Sequence, residues 1–353
     1  MRILVYDIAA SEGGALTVLN EFYQQVCELD RNDIQWLFVL STPQLSERVN
    51  IRVLRYPWTK KSWIHRWVFD HFYAKRIIQQ YKIDRIFSLQ DIRIPVKGLT
   101  QFVCLHDSLP FVNYRYKITE NLLLWLYQNP IAKLKYRSII TSDKTIVQSR
   151  WMVDACVQKT GADPGKIAYV PMNVDMSALK TYQDSQTARK TFFYPAFAFP
   201  YKNHKTLLKA CKLLNKEEYQ VILTINGEEN KYSQSLKQYV MENDLNVLFF
   251  GRMKREEVFE WYTKSVLVFP SYIEAYGLPI DEARRTGTFI LSTSCPFSAD
   301  LLEGYGNARF FEPFDEKTLA EHMRACRTAE YLPDSMDKTS TEVVLNLAET
   351  VIQ

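Results

Sequence analysis

The sequence has 353 residues, of which 47% are hydrophobic and 24% are charged, and its formal net charge is +4. This length predicts two domains, because single hydrophobic cores rarely grow beyond ~250–300 residues. The composition excludes a disordered or collagen-like protein. Six cysteines are scattered singly, which is typical of reduced thiols in the cytoplasm. Because Met1 leads directly into a strand pattern, we expect no leader peptide. No apolar run reaches the ~20 residues that span a bilayer.

The first half of the chain alternates between short apolar runs and stretches of helical periodicity. We predict strands at Arg2–Ile8, Ile34–Leu40, Ile51–Arg55, Arg85–Ser88, Gln101–Leu105, Thr145–Gln148 and Ala168–Val170. Helices are predicted from Gly13 to about Leu29 and over Trp63–Tyr81. Strands that alternate with helices of this length indicate βαβ units and a parallel sheet.

The second half of the chain repeats this order. We predict strands at Lys190–Tyr194, Tyr219–Ile225, Val247–Phe250, Val266–Phe269 and Thr288–Leu291. We predict helices at His204–Leu214, Tyr232–Glu242, Glu256–Thr263, Pro279–Arg285 and Glu316–Arg327. Two such series predict an α/β fold with two Rossmann-like, doubly wound parallel-sheet domains facing across a cleft. Periodicity lapses within residues 172–188, so the predicted domains are 1–172 and 173–353, with the last helix packing back on the first domain.

The segment Pro270–Glu282 (PSYIEAYGLPIDE) follows a buried strand and opens a helix. Pro279 is favoured in the first turn of a helix, and Gly277 precedes it. The free N–H groups and positive dipole end of a helix start suit a diphosphate. Inside that helix Glu282 can accept hydrogen bonds from two neighbouring hydroxyls, such as those of a ribose, whereas Glu274 on an exposed loop can meet a sugar. Two glutamates alone would indicate only an ordinary strand–loop–helix junction.

Taken whole, the segment resembles the E-x7-E motif of the family 4 (group 1) retaining glycosyltransferases, which have the two-domain GT-B fold. Asn246–Gly251 resembles the strand and glycine that the family places beside the nucleobase. Thr286–Ser292 resembles its G-x-P-V-I strand, with Thr288 where proline is usual. Tyr201–His204 resembles its KN segment. The resemblance covers most of residues 190–327 and extends more loosely over the first half.

This resemblance implies a catalytic group made of Glu274, Lys202 and His106. Glu274 would contact the donor sugar, and Lys202 would stabilise the charge on the departing phosphates. His106, in the His106-Asp107 pair at the end of a predicted strand, would lie beside the donor sugar. The pair alone is also compatible with a structural histidine. Implied donor-binding residues are Glu282 on the ribose together with Gly13, Gly14, Gly251, Arg252, Tyr276, Gly277 and Leu278.

One stretch departs from the family pattern. Relatives often carry a Gly-Arg pair shortly before the lysine, but Tyr194–Pro200 contains no arginine. Either Lys202 acts alone, or another cation substitutes, or donor binding is weak. No Asp-x-Asp, zinc-spaced Cys/His cluster, P-loop, G-x-S-x-G or full G-x-G-x-x-G motif occurs, so we expect no metal and no nicotinamide cofactor. The nucleotide sugar would be a substrate.

Charge is distributed unevenly along the chain. Residues 1–170 carry 23 Lys and Arg against 15 Asp and Glu. Residues 55–85 contain eight of these basic residues and two acidic ones, interleaved with aromatic residues that include Trp58, Trp63, Trp67, Phe69, Phe72 and Tyr73. Residues 114–137 form a second basic, apolar stretch. One interpretation is docking on an anionic membrane that presents a lipid-linked acceptor. Another is an amphipathic core helix with a solvated basic edge. Nucleic-acid binding lacks a recognised module.

The sequence thus predicts a metal-independent, retaining glycosyltransferase that moves a sugar from a nucleotide diphosphate to a hydroxyl of a glycan or lipid-linked glycan. The resemblance assigns acceptor binding to the first domain and donor binding to the second. The expected setting is cell-surface polysaccharide synthesis in the cytoplasm, peripheral to the membrane if the docking interpretation holds. Two alternatives stay open: a GT-B-type sugar-nucleotide epimerase and a non-catalytic relative that serves as an interaction subunit.

Overall fold

The computed structural model describes residues 1–11, 13–29, 31–171, 176–333 and 346–353. The chain divides into two compact units, Met1–Val174 with Glu342–Gln353, and Asp175–Thr341. Each unit is an α/β fold with one parallel sheet. The boundary predicted between residues 172 and 173 lies outside the described residues.

The sheet of the first unit has seven parallel strands in the order β3-β2-β1-β4-β5-β6-β7. These are β1 (Arg2–Asp7), β2 (Gln35–Leu40), β3 (Ile51–Arg55), β4 (Arg85–Ser88), β5 (Thr100–Leu105), β6 (Lys144–Val147) and β7 (Ile167–Tyr169). The chain moves outward from β1 to β3 and then returns to β4 on the other side of β1. Ligands of such open sheets bind at the carboxyl ends of the strands near this switch point.

Helices cover both faces of this sheet, so the central strands are buried on both sides. They are α1 (Gly13–Leu29), α2 (Trp63–Val68), α3 (Ala74–Tyr81), α4 (Leu122–Gln128), α5 (Pro130–Thr141) and α6 (Arg150–Thr160). A π-helical turn at Phe69–Tyr73 joins α2 to α3, so the single helix predicted over Trp63–Tyr81 is interrupted in its middle. The helix α4 begins at a side-chain cap, because Asn121 Oδ1 accepts from Leu124 N at 3.1 Å.

The sheet of the second unit has six parallel strands in the order β10-β9-β8-β11-β12-β13. They are β8 (Thr191–Tyr194), β9 (Gln220–Leu223), β10 (Val247–Phe249), β11 (Val266–Phe269), β12 (Ile290–Thr293) and β13 (Ala308–Phe311). The helices are α7 (His204–Lys212), α8 (Lys231–Glu242), α9 (Arg255–Tyr262), α10 (Leu278–Thr286), α11 (Pro296–Leu302) and α12 (Glu316–Ala325). Here the switch point lies between β8 and β11.

Short 3₁₀ turns lie at Pro57–Lys60, Pro164–Lys166, Ala188–Lys190, Pro200–Lys202 and Lys216–Glu218. The last helix of the chain, α13 (Leu347–Ile352), packs on α1 in the first unit. Its apolar side chains Leu347 and Val351 are buried in the same core as Phe22 of α1. Gln25 of α1 accepts a hydrogen bond from Ala348 N at 3.3 Å. The C-terminal residues thereby complete the core of the first unit.

Candidate active site

An ion pair lies at the switch point of the second sheet. Lys202 ends the 3₁₀ turn that follows β8, and Glu274 lies in the loop that follows β11. Because β8 and β11 are neighbours, their carboxyl-end loops meet, and Lys202 Nζ lies 2.5 Å from Glu274 Oε1. The expectation that Glu274 is exposed is wrong, since its side chain is only 14% exposed and that of Lys202 16%.

The loop that carries Lys202 is held by hydrogen bonds to its surroundings. Tyr194 OH donates to the carbonyl oxygen of Lys202 at 2.7 Å. Asn203, at φ 55°, donates from its side chain to the carbonyl oxygen of Pro270 at 3.2 Å. The ammonium group is therefore fixed at the carboxyl edge of the sheet, in contact with Glu274.

Glu282, in the second turn of α10, is almost completely buried, with 4% of its surface exposed. Its Oε2 accepts from Tyr262 OH at 2.9 Å, and its Oε1 lies 2.9 Å from Nη2 of Arg255. Burial raises the pKa of Glu282 to about 7, although Arg255 and the Tyr262 hydroxyl lower that pKa. The Glu282 carboxyl therefore lies in a largely apolar setting that disfavours its charged form, and the two donors oppose this effect.

Sequence reasoning missed Arg255 and Tyr262. They are the first and last residues of α9, seven positions apart, and so lie on one face of that helix. This spacing is visible in the sequence, but only the packing of α9 against α10 shows that the shared face meets Glu282. The predicted donor-binding Arg252 lies three residues before Arg255 and is exposed. No ion pair involves Arg252 within the part of the chain that the structure describes.

The start of α10 has the backbone geometry of an anion site. Gly277 immediately precedes the helix with φ 97°, a conformation that side-chain-bearing residues rarely adopt. A Cβ at this position would lie 3.4 Å from both Leu301 Cδ1 and Phe297 Cδ2. Leu278 is the first helical residue, and Tyr276 OH donates to Asp281 Oδ2 at 3.0 Å.

Two further predicted positions are glycines with different surroundings. Gly251 follows β10 with φ 88°, and its N–H donates to Ile225 O at 3.2 Å. In the first unit, Gly13 begins α1 with φ 62°, and a Cβ on Gly14 would meet no atom within 4 Å among the described residues. Asp7 at the end of β1 is buried, which raises the pKa of its carboxyl to about 7.

His106 lies one residue beyond β5, above a buried ionic network. Asp91 Oδ1 accepts from His106 N at 2.6 Å, and Lys135 Nζ lies 2.8 Å from Asp91 Oδ2 and 2.6 Å from Asp107 Oδ2. Lys135 is 2% exposed, so counting it with the basic surface of residues 114–137 was wrong. Charged partners in the interior explain why the ammonium is buried.

The structure thus brings together Lys202 with Glu274, and Glu282 with two donors of α9, all within the second unit. His106, Gly13 and Gly14 belong to the first unit. Within the described ranges, no group of three or more His, Cys, Asp or Glu side chains is arranged to hold a metal ion. Among the same residues, no helix is long and apolar enough to cross a membrane.

Two parallel-sheet α/β units of this kind define the GT-B class of glycosyltransferases. The chain superimposes with a TM-score of 0.74 on WaaG, a glycosyltransferase involved in lipopolysaccharide biosynthesis, at 14% identity over 99% of this chain and 97% of that one. It superimposes with a TM-score of 0.68 on Anabaena Alr3699/HepE in complex with UDP-glucose, at 17% identity over 95% and 93% of the two chains.

Residues 178–343, nearly all of the second unit, match the family model of the glycosyl transferases group 1. This match lies in the second unit, which is thereby similar to the glycosyl transferases group 1 over nearly its whole length. It is similar to the O-antigen chain mannosyltransferase RfbU of Salmonella typhimurium, with 22% identity over 280 residues, which cover 78% of this chain and 74% of that protein. The family resemblance and the two-domain α/β fold expected from the sequence are confirmed.

Proposed function

We propose that the protein transfers a sugar from a nucleoside diphosphate sugar to a hydroxyl of a growing glycan, with retention of anomeric configuration. The observation that carries this proposal is the Lys202–Glu274 ion pair at the switch point of the donor unit. Because the ammonium is already fixed, little reorganisation is needed when negative charge accumulates on a leaving diphosphate. The match of residues 178–343 to a glycosyltransferase family supports the same assignment.

The donor would be held by three features of the second unit. Glu282 would accept hydrogen bonds from the ribose hydroxyls, and the free N–H groups at the start of α10 would bind phosphate oxygens. Lys202 would exchange Glu274 for the diphosphate, which releases the Glu274 carboxylate to bind hydroxyls of the transferred sugar. These groups supply positive charge to the diphosphate, so we propose that transfer needs no divalent metal.

Retention would follow from attack on the face from which the diphosphate departs. In that arrangement a phosphate oxygen of the leaving group helps to remove the proton of the acceptor hydroxyl, and the protein supplies position rather than a nucleophile. The bond from the anomeric carbon to the phosphate oxygen breaks as the bond to the acceptor oxygen forms. The named mannosyltransferase and the UDP-glucose complex of the Anabaena protein support a hexose donor.

A titration of the purified chain with UDP, GDP, UDP-glucose and GDP-mannose tests donor binding, with Glu282→Ala as the diagnostic variant. We expect the wild type to bind either the two uridine nucleotides or the two guanosine nucleotides, and we expect Glu282→Ala to lose that binding. Glu256→Ala is the matched control, because Glu256 is an exposed glutamate on α9. Equal affinity of Glu282→Ala and the wild type would refute the assignment. Sugar epimerisation with donor alone would favour the epimerase, and unchanged donor with every acceptor would favour the non-catalytic relative.

We also propose that the acceptor is presented on an anionic membrane that the first unit contacts. The exposed apolar side chains of α2, the π turn and α4 form what we call the aromatic ridge: Trp63, Ile64, Trp67, Phe72, Leu122 and Leu123. Each is at least 54% exposed. Trp63 and Tyr127 are 6.4 Å apart between ring centroids, so the two helical segments adjoin. By contrast, Phe69 faces the core, and Trp58 packs against it.

Exposed basic residues lie near the segments of the aromatic ridge along the chain. Lys61, Lys75, Arg76, Lys117 and Lys133 are all exposed. Each such charge near an anionic leaflet contributes about 1 kcal/mol at low salt. Apolar insertion and charge attraction together are the features of interfacial helices. This arrangement supports a peripheral membrane protein whose acceptor is a lipid-linked glycan, on the cytoplasmic side where nucleotide sugars would be available.

Flotation with vesicles that contain about one third anionic lipid tests this surface. We expect binding at low salt, weaker binding at high salt, and loss of binding when Trp63 and Trp67 are both changed to Ser. Met241→Ser is the matched control, since Met241 is 75% exposed but belongs to the second unit. Absence of binding by the wild type at low salt would exclude the membrane contact while leaving the donor assignment intact.

A further inference from the structure

An arginine of α9 is held against the carboxyl group of Glu282 by contacts on several sides. Arg255 Nη2 lies 2.9 Å from Glu282 Oε1 and 3.8 Å from Sδ of Met176. One helical turn further along α9, the ring centroid of Phe259 lies 4.8 Å from Cζ of Arg255. Phe259 is buried, so it is a fixed support for the guanidinium. The guanidinium therefore has a defined position, although the Arg255 side chain is partly exposed.

The two donors to Glu282 differ in charge. Tyr262 is completely buried, and this burial, together with the nearby Glu282, raises the pKa of its hydroxyl well above the usual tyrosine value. The hydroxyl is therefore a neutral donor. Asp281, the neighbour of Glu282 in α10, raises the pKa of Glu282, whereas Arg255 lowers it. Among these three described residues that act on the Glu282 carboxyl, Arg255 alone is a cation.

The ionisation of Glu282 matters for a ligand with two neighbouring hydroxyls. An ionised carboxylate only accepts hydrogen bonds, whereas a protonated carboxyl carries an O–H donor, so two donating hydroxyls fit the ionised form. Burial raises the pKa of Glu282 to about 7 even though Arg255 is in place, so the carboxyl is about half ionised at neutral pH. A nearby opposite charge lowers the pKa of a carboxyl by ~1–3. Without Arg255 the ionised form would be the minor one at pH 7.

We propose that Arg255 is a positioning residue for nucleotide binding, which keeps Glu282 ionised and fixes the carboxylate where the ribose hydroxyls bind. Arg255 acts through Glu282 rather than on the reacting atoms. This inference rests on the proposed function for the identity of the ligand as a nucleotide. It predicts that donor affinity rises with pH around the pKa of Glu282, and that Arg255 determines where this rise occurs. A guanidinium that merely competed with the ribose for Glu282 would instead weaken binding.

The helix α10 offers a matched control. Arg285 Nε lies 3.0 Å from Asp281 Oδ1, and the side chains of Arg285 and Arg255 are similarly exposed, at 43% and 34%. Asp281 directly precedes Glu282, but its carboxyl binds Arg285 and Tyr276 rather than the donors of Glu282. Arg285→Met therefore removes an arginine–carboxylate pair of the same kind and leaves the contacts of Glu282 in place.

Carbon-13 NMR of the glutamate carboxyl groups measures the pKa of Glu282 in the free protein, with Glu282→Gln to assign its signal. We expect a pKa near 7 in the wild type and in Arg285→Met. In Arg255→Met we expect a pKa of about 8 or higher, because the opposite charge that favours the ionised form is lost. An unchanged pKa of Glu282 in Arg255→Met would overturn the proposal whether or not a nucleotide sugar binds.

The pH dependence of donor affinity tests the consequence for binding. UDP-glucose or GDP-mannose, whichever the donor titration shows to bind, is titrated between about pH 5.5 and 8.5, because nucleotide sugars lack the terminal phosphate that itself titrates near pH ~6. We expect the rise in affinity to be centred near pH 7 in the wild type and in Arg285→Met. In Arg255→Met it should move up by about one pH unit or more, which makes binding at pH 7 about fivefold weaker or more. This deficit should shrink at the upper end of the pH range.

Two results of this titration would contradict the proposal. An equal loss of affinity at every pH in Arg255→Met would assign the arginine a structural role only. Tighter binding in Arg255→Met would show that the guanidinium competes with the ligand for Glu282. A chain that binds neither nucleotide sugar contradicts the proposed function instead, and the pKa of Glu282 in the free protein then decides the role of Arg255.

Discussion

Replacing Glu282 with glutamine should make the second unit more stable at pH 8 while weakening donor binding. The carboxyl is 4% exposed, and burial raises its pKa from 4.5 to about 7. The folded chain therefore binds this proton more tightly than the unfolded chain does. The contribution of Glu282 to stability is highest below pH 4.5, falls as pH rises towards 7, and is level above that. A glutamine in place of Glu282 would keep the shape of the side chain without the buried charge.

The size of the effect follows from the pKa difference. At 1.36 kcal/mol for each pH unit, the rise from 4.5 to about 7 corresponds to ~3 kcal/mol of cost at pH 8. The attraction of Arg255 is already included in this pKa, and the Arg255 side chain is 34% exposed and can be rehydrated when Glu282 is replaced. The expectation for Glu282→Gln is therefore a gain of ~3 kcal/mol at pH 8 and a gain below ~1 kcal/mol at pH 5, where the folded carboxyl is already protonated.

Hydrogen exchange of the amides in β11 and α10 measures this change, because it reports on the second unit separately from the first. Wild type and Glu282→Gln are compared at pH 5 and pH 8, with Glu256→Gln as an exposed control. Titration with UDP and GDP on the same samples measures affinity. A variant that is equally or less stable than the wild type at pH 8 would refute the reasoning that the carboxylate is a buried charge retained for binding.

Lys202→Met should lower the affinity for UDP or GDP by about tenfold or more, since a charged hydrogen bond contributes ~1.5–3 kcal/mol. Calorimetry should show that the affinity for uridine or guanosine is unchanged. An equal loss of affinity for the nucleoside and the diphosphate would contradict the phosphate role. Lys135→Met should lower the free energy of unfolding of the first unit by ~3–5 kcal/mol, because Asp91 and Asp107 lose their buried cation. Urea unfolding measures this change, and a decrease below ~1 kcal/mol would be inconsistent with the network. Burial lowers the pKa of His204 to about 3. The contribution of this histidine to stability therefore falls as pH drops below 6.5, by ~2 kcal/mol at pH 5. The free energy of unfolding in urea should therefore change less between pH 7.5 and 5 in His204→Leu than in the wild type. An unchanged pH dependence would assign the effect to other groups.

Local pattern was enough to predict most of the two sheets. Strands such as β4 and β11 match the predicted bounds, because short apolar runs bounded by turn residues are typical of buried parallel strands. The helices α4, α5, α6 and α11 and the final strand β13 were not predicted. Their apolar residues have weaker periodicity, and α4 is defined by its cap at Asn121 and its packing on α5 rather than by a pattern.

The E-x7-E segment by itself indicated the family resemblance and pointed to Glu274 and Glu282, because family motifs keep residue types at fixed spacing. Tertiary structure alone decided what those carboxylates contact. Lys202 reaches Glu274 because β8 and β11, 72 residues apart at this pair, become neighbours in the sheet. Likewise Arg255 reaches Glu282 through helix packing, and Lys135 is a buried ion rather than a surface charge. Sequence spacing reports which residues lie on one face of one element, whereas partners across elements depend on strand order and packing, which no local pattern encodes.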